Sequence, residues 1–84
     1  MQMWMVQLSF KQKPDEATLA MLPREREHVA RLVSEGVIKA RYVAKDGSFV
    51  WLVFSGETQA DVESSVKTLP MYDYFDIKMI EVNA

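Results

Sequence analysis

From Met3 to Phe10 the apolar residues Trp4, Val6, Leu8 and Phe10 alternate with Met3, Met5, Gln7 and Ser9. A period of two predicts a strand, and its second face is half apolar as well. Past Lys13, Pro14 and Asp15 the spacing lengthens. Leu22, Val29, Leu32 and Val33 fall on a 3.6-residue period that Gly36 stops, which predicts a helix. Pro23 lies inside that pattern, and an interior proline removes a backbone donor and clashes with the preceding turn, so the helix is expected to kink or restart there. Its well-formed part should be Pro23 to Glu35. Val37 to Ala44 reads as a second strand, Lys45-Asp46-Gly47 as a tight hairpin turn, and Ser48 to Phe54 as the returning partner. Gly56 breaks that strand and Thr58 caps a second helix, whose apolar positions are Ala60, Val62, Val66 and Leu69 and which ends before Pro70. Tyr74 to Val82 alternates again as the last strand.

The resulting order is βαββαβ, an α+β arrangement of the ferredoxin-like type in which two helices cover one face of an antiparallel sheet. The other face is informative. Phe49, Trp51 and Val53 alternate with Val50, Leu52 and Phe54, so the hairpin, like the first strand, is apolar on both sides. An apolar face without helices must be buried by something else, and the simplest cover is a second copy. Two such sheets packed around a two-fold axis enclose a dimeric α+β barrel, with room for a small ligand between sheet and helices.

Length and composition narrow the chemistry. At 84 residues the chain (1–84) makes one domain, and with 49% hydrophobic residues it is too apolar to stay disordered. Ten Lys and Arg against twelve Asp and Glu leave a net charge of -2, so the basic footprint of a nucleic-acid binder or of a membrane-surface protein is missing. Lys45 to Leu52 can be compared with the aromatic octamer of RNA recognition motifs. Lys45, Phe49 and Val50 match, but Asp46, Gly47 and Leu52 stand where glycine and aromatics are needed. No cysteine and a single histidine argue against a disulfide framework, a thiolate nucleophile or a metal centre, and no cofactor motif is present. The apolar MQMWMVQLSF stretch lacks a basic leader region and is too short to span a bilayer, so a cytoplasmic protein is expected.

Glu25 is the first candidate for chemistry. It shares the helical stripe of Leu22, Val29 and Leu32, where the core-facing period asks for an apolar side chain. A carboxylate half-buried there has a raised pKa and can act as a base near neutral pH; a flank position would let it reach water instead. His28, one turn on, is a secondary candidate or a half-exposed helix residue. Arg41, and Lys39 beside it, can hold a substrate carboxylate or be solvated strand residues. Tyr42, Trp51, Tyr72 and Tyr74 can wall a ligand pocket, or they pack in the core and in a subunit interface.

The segment Leu69-Pro70-Met71-Tyr72-Asp73-Tyr74-Phe75-Asp76-Ile77-Lys78-Met79 resembles the end of the muconolactone isomerase family. There a helix closes on Leu-Pro, an aromatic corner follows, and the last strand opens with an aromatic, an Asp and a β-branched residue. The similarity runs upstream through Val53-Phe54, Glu35-Gly36, Leu32 and Glu25-Arg26-Glu27 to the first strand. It implies a dimeric α+β barrel that assembles into a larger homo-oligomer and a cofactor-free proton shift in a small lactone acid. The family's glutamate aligns with Glu25. On this reading Glu25 moves the proton, with His28 as the secondary catalytic candidate. Arg41 or Lys39 holds the substrate carboxylate, Tyr42 donates to the enolate oxygen, and Trp51, Tyr72 and Tyr74 contact the substrate. Tyr42 stands where the family has a Trp, and Trp51 where it has a Tyr, which points to a relative with a changed pocket. The alternative is a non-catalytic small-ligand-binding or assembly module that reuses the fold.

Overall fold

The structure, a computed structural model, describes residues 2–83. Strand β1 (Gln2–Phe10) leads into a short helix α1 (Glu16–Leu19) and the main helix α2 (Leu22–Ser34). Strands β2 (Ile38–Val43) and β3 (Val50–Gly56), helix α3 (Gln59–Val66), a 3-10 turn (Tyr72–Tyr74) and strand β4 (Phe75–Val82) follow. The sheet is antiparallel in the order β2-β3-β1-β4, the ferredoxin-like topology expected from the hydrophobic pattern.

Three local features differ from the pattern-based expectation. Asp15 accepts from Thr18 N at 2.8 Å and caps a four-residue helix that is too short to show any period. Helix α2 then restarts at Leu22 with Pro23 in its first turn, where a missing N–H leaves nothing unpaired. The hairpin between β2 and β3 is wider than an Asp-Gly type I′ turn. That turn needs positive φ at both central residues, but only Gly47 (φ 77°) has it, and Asp46 instead accepts from Ser48 N and Oγ. Val43 therefore pairs with Val50, and Phe49 stays outside the strand. Finally, Tyr74 lies in the 3-10 turn, so β4 starts at Phe75.

Helix α2 ends as its sequence requires. Gly36 takes φ 79°, its N–H bonds to Val33 O, and Val37 N bonds to Leu32 O, the paired bonds of a Schellman motif. The buried core lies between sheet and helices. Trp4, Val6 and Leu8 of β1 and Leu52 and Phe54 of β3 meet Val29 and Leu32 of α2 and Val62 and Val66 of α3. Val33, counted on the helical stripe from its spacing, is exposed instead.

The sheet's second face carries no helix. Strand register puts Tyr42, Trp51, Gln7 and Lys78 in one row and Ala40, Val53, Met5 and Ile80 in the next. Ile80 is 65% and Tyr42 59% exposed there. Trp51 donates from Nε1 to Gln7 Oε1 at 3.1 Å and stacks on Phe49 with ring centroids 5.7 Å apart.

Candidate functional site

A cavity of about 330 Å³ is bordered by helix α2, by strands β1, β2 and β3, and by Phe75. Its apolar lining includes Leu8, Phe10, Val29, Leu52 and Phe75, and its ionisable side chains are Glu25, Arg26 and Arg41. Two walls supply them: Glu25 and Arg26 come from α2, Arg41 from β2. Gly47 of the hairpin also borders the cavity.

Glu25 is 7% exposed, and its Oε1 accepts from Met71 N at 2.9 Å. This bond ties α2 to the turn before β4 and fixes the carboxylate. Burial raises the Glu25 pKa above its usual range, since removal from water disfavours the charged form, and it outweighs the opposing pull of the Met71 N–H and of nearby His28. A carboxylate with a raised pKa is a stronger base than an exposed one.

The other sequence candidates divide between places. Arg41 joins Glu25 in the cavity. Tyr42, its neighbour, does not, because successive strand residues point to opposite faces and Tyr42 stands on the open face opposite Trp51. Trp51 is thus also outside the cavity and lines a hollow with Met5, Gln7, Lys78 and Ile80. Lys39 falls at the irregularity between Ile38 and Ala40 and reaches toward Gly36 at the far end of α2, away from Glu25. The His28 ring Nε2 is 2.8 Å from Thr68 Oγ1, a link between α2 and the segment after α3, and His28 does not line the cavity. Tyr72 borders a separate groove between α3 and β4 with Gln59, Glu63 and Lys67, and Tyr74 a small one beside Pro14 and Asp15.

Arg26 was not among the residues singled out in the sequence, although a signal existed. Leu22, Glu25, Arg26 and Val29 stand at i, i+3, i+4 and i+7, so Arg26 flanks the stripe of Glu25 and, although exposed, borders the same cavity. Among the described residues there is no cluster of three or more His, Cys, Asp or Glu able to hold a metal ion, and no helix is long and apolar enough to cross a membrane.

Neither a protein-family profile nor any curated protein matches this sequence. The resemblance to muconolactone isomerases rests on the residues quoted above.

Proposed function

We propose that this chain is a cofactor-free, muconolactone isomerase-like enzyme of the cytoplasm that shifts a proton within a small cyclic or lactone carboxylic acid. One observation carries the reading. A single cavity holds a buried carboxyl group with a raised pKa together with a guanidinium from the facing strand, while Tyr42 and Trp51, whose rings would otherwise fill such a space, lie on the other face of the sheet.

Tyr42, on the open face, cannot donate to the enolate oxygen as the resemblance implied, so Glu25 and Arg41 act without it. The Glu25 carboxylate takes a proton from the carbon next to the substrate carbonyl, and the C–H electron pair moves onto the carbonyl oxygen as an enolate. In a substrate with a C=C bond one carbon further on, the carboxylic acid then returns the proton to the far end of that bond, two atoms away; the enolate re-forms the carbonyl, the C=C bond moves next to it, and the enzyme is restored. Arg41 holds the substrate carboxylate by paired hydrogen bonds. The bond from Met71 N keeps the base in place during both transfers.

Turnover of a panel of small lactone acids, followed by the change in ultraviolet absorbance as the double bond moves, tests the proposal. Glu25→Gln should keep the fold and lower turnover by about 10²- to 10⁴-fold, the usual worth of a positioned base. Full activity in Glu25→Gln refutes it. A ligand that binds wild-type protein and is never turned over assigns the chain instead to the non-catalytic binding class.

The open sheet face supports a companion proposal, a homodimer formed by packing two such faces. Sedimentation equilibrium at micromolar concentration should give a dimer or a larger homo-oligomer, and a monomer at that concentration refutes it.

A further inference from the structure

Arg26 and Arg41 approach the cavity from different elements, one from α2 and one from the edge strand β2. Neither guanidinium takes part in a side-chain hydrogen bond among the described residues. Glu25 does not neutralise them. Its Oε1 is engaged by Met71 N, and neither arginine is among the groups that shift its pKa. Most of the remaining lining is hydrocarbon, with Leu8, Val29, Leu52 and Phe75, and both arginines are exposed at the edge of the cavity. A guanidinium binds a carboxylate through two parallel N–H donors, and two guanidiniums brought to the edge of one largely apolar cavity by different elements match a ligand with two anionic groups and an apolar middle.

We infer that Arg26 and Arg41 together form a binding site for a small dicarboxylate, one carboxylate held from the helix and the other from the edge strand. This rests on the proton-transfer reading of the same cavity and narrows its substrate class to acids with two anionic groups.

The test is titration of the full chain at pH 7 and low salt with glutarate and adipate, and with the monoacids butyrate and hexanoate. Calorimetry gives affinity, and amide shifts at Glu25, Val29 and Leu52 give location. The better dicarboxylate should bind at least about 10-fold tighter than the monoacids, the effect of one further charge-assisted carboxylate contact. Arg26→Gln and Arg41→Gln should each remove that advantage, and Arg24→Gln, outside the cavity, should leave it intact. Equal affinity for dicarboxylates and monoacids, no binding of either, or loss in only one of the two cavity variants overturns the inference. Dicarboxylate binding with no turnover of any lactone acid would sink the enzymatic reading alone. Turnover of a lactone monoacid without a preference for dicarboxylates would sink this inference alone.

Discussion

Replacing Glu25 by Gln changes one charge and almost no volume, so its effect on stability isolates the burial of that charge. The amide oxygen of Gln can still accept from Met71 N, as Glu25 Oε1 does at 2.9 Å. Two effects oppose one another. A neutral acceptor makes a weaker hydrogen bond than a carboxylate, by about 1 kcal/mol. Against this, wild-type protein must keep an ionised group in a buried site above the folded-state pKa. The raised pKa means that the folded state binds the proton more tightly than the unfolded chain, whose value is near 4.5. The stabilisation from holding that proton is fully present below about 4.5 and is lost as pH rises through the folded-state value. Relative to wild type, Glu25→Gln should therefore gain stability with rising pH, by at most about 1.4 kcal/mol per pH unit for a single proton, and then level off. Urea unfolding of both proteins from pH 4 to 8 measures this difference. Glu25→Leu provides the contrast. It removes the acceptor, leaving a buried N–H whose orphaning costs about 1–3 kcal/mol, so amide exchange at Met71 should accelerate in Leu but not in Gln. A stability difference between wild type and Gln that is flat in pH, or one that falls as pH rises, would refute the assignment of a desolvated carboxyl at this position.

Other outcomes follow from single contacts. A methyl group added at Gly56 would sit 2.7 Å from Val62 Cγ2, itself fully buried, so Gly56→Ala should destabilise by about 1–3 kcal/mol in a urea melt. Thr58 Oγ1 accepts from Asp61 N at 3.2 Å at the start of α3, and Thr58→Ala should cost about 1 kcal/mol by the same measurement. If two copies pack through the open sheet face as proposed, Val53→Glu in the middle of that face should give a folded monomer in sedimentation experiments, because a charge cannot be buried unpaired between two sheets. Single-stranded oligonucleotides should show no submicromolar, salt-sensitive binding in fluorescence anisotropy, given the net charge of -2.

The sheet was legible because its strands carry a period of two on both faces, and Val6, Leu52 and Phe54 are buried where that period places them. Helix α1 was not, since four residues hold no period and its only sign is the Asp15 to Thr18 cap. The inward position of Glu25 was readable as a carboxylate on an apolar stripe, and its burial follows. Grouping Arg41 and Tyr42 in one pocket contradicted the alternation that had identified their strand. The position of Lys39 depends on an irregularity in pairing that leaves no mark in hydrophobic spacing. Arg26 was hidden by its length and charge, which usually mark the outer face of a helix, although a long side chain can lie along an apolar wall and present its head at the rim.

The two tryptophans stand on opposite sides of the sheet in unlike surroundings. Trp4 is buried on the helix side, with an indole Nε1 that finds no hydrogen-bond acceptor among the described residues, while Trp51 is half-buried on the open side and bonded to Gln7. The protein thereby contains two native optical reporters. In Trp51→Phe the remaining emission should be short in wavelength and poorly quenched by iodide, and it should move to long wavelength only when the core melts. In Trp4→Phe the emission should start at longer wavelength and respond to whatever covers the open face. Loss of the core and exposure of the sheet can then be timed separately in one stopped-flow instrument without attaching a dye.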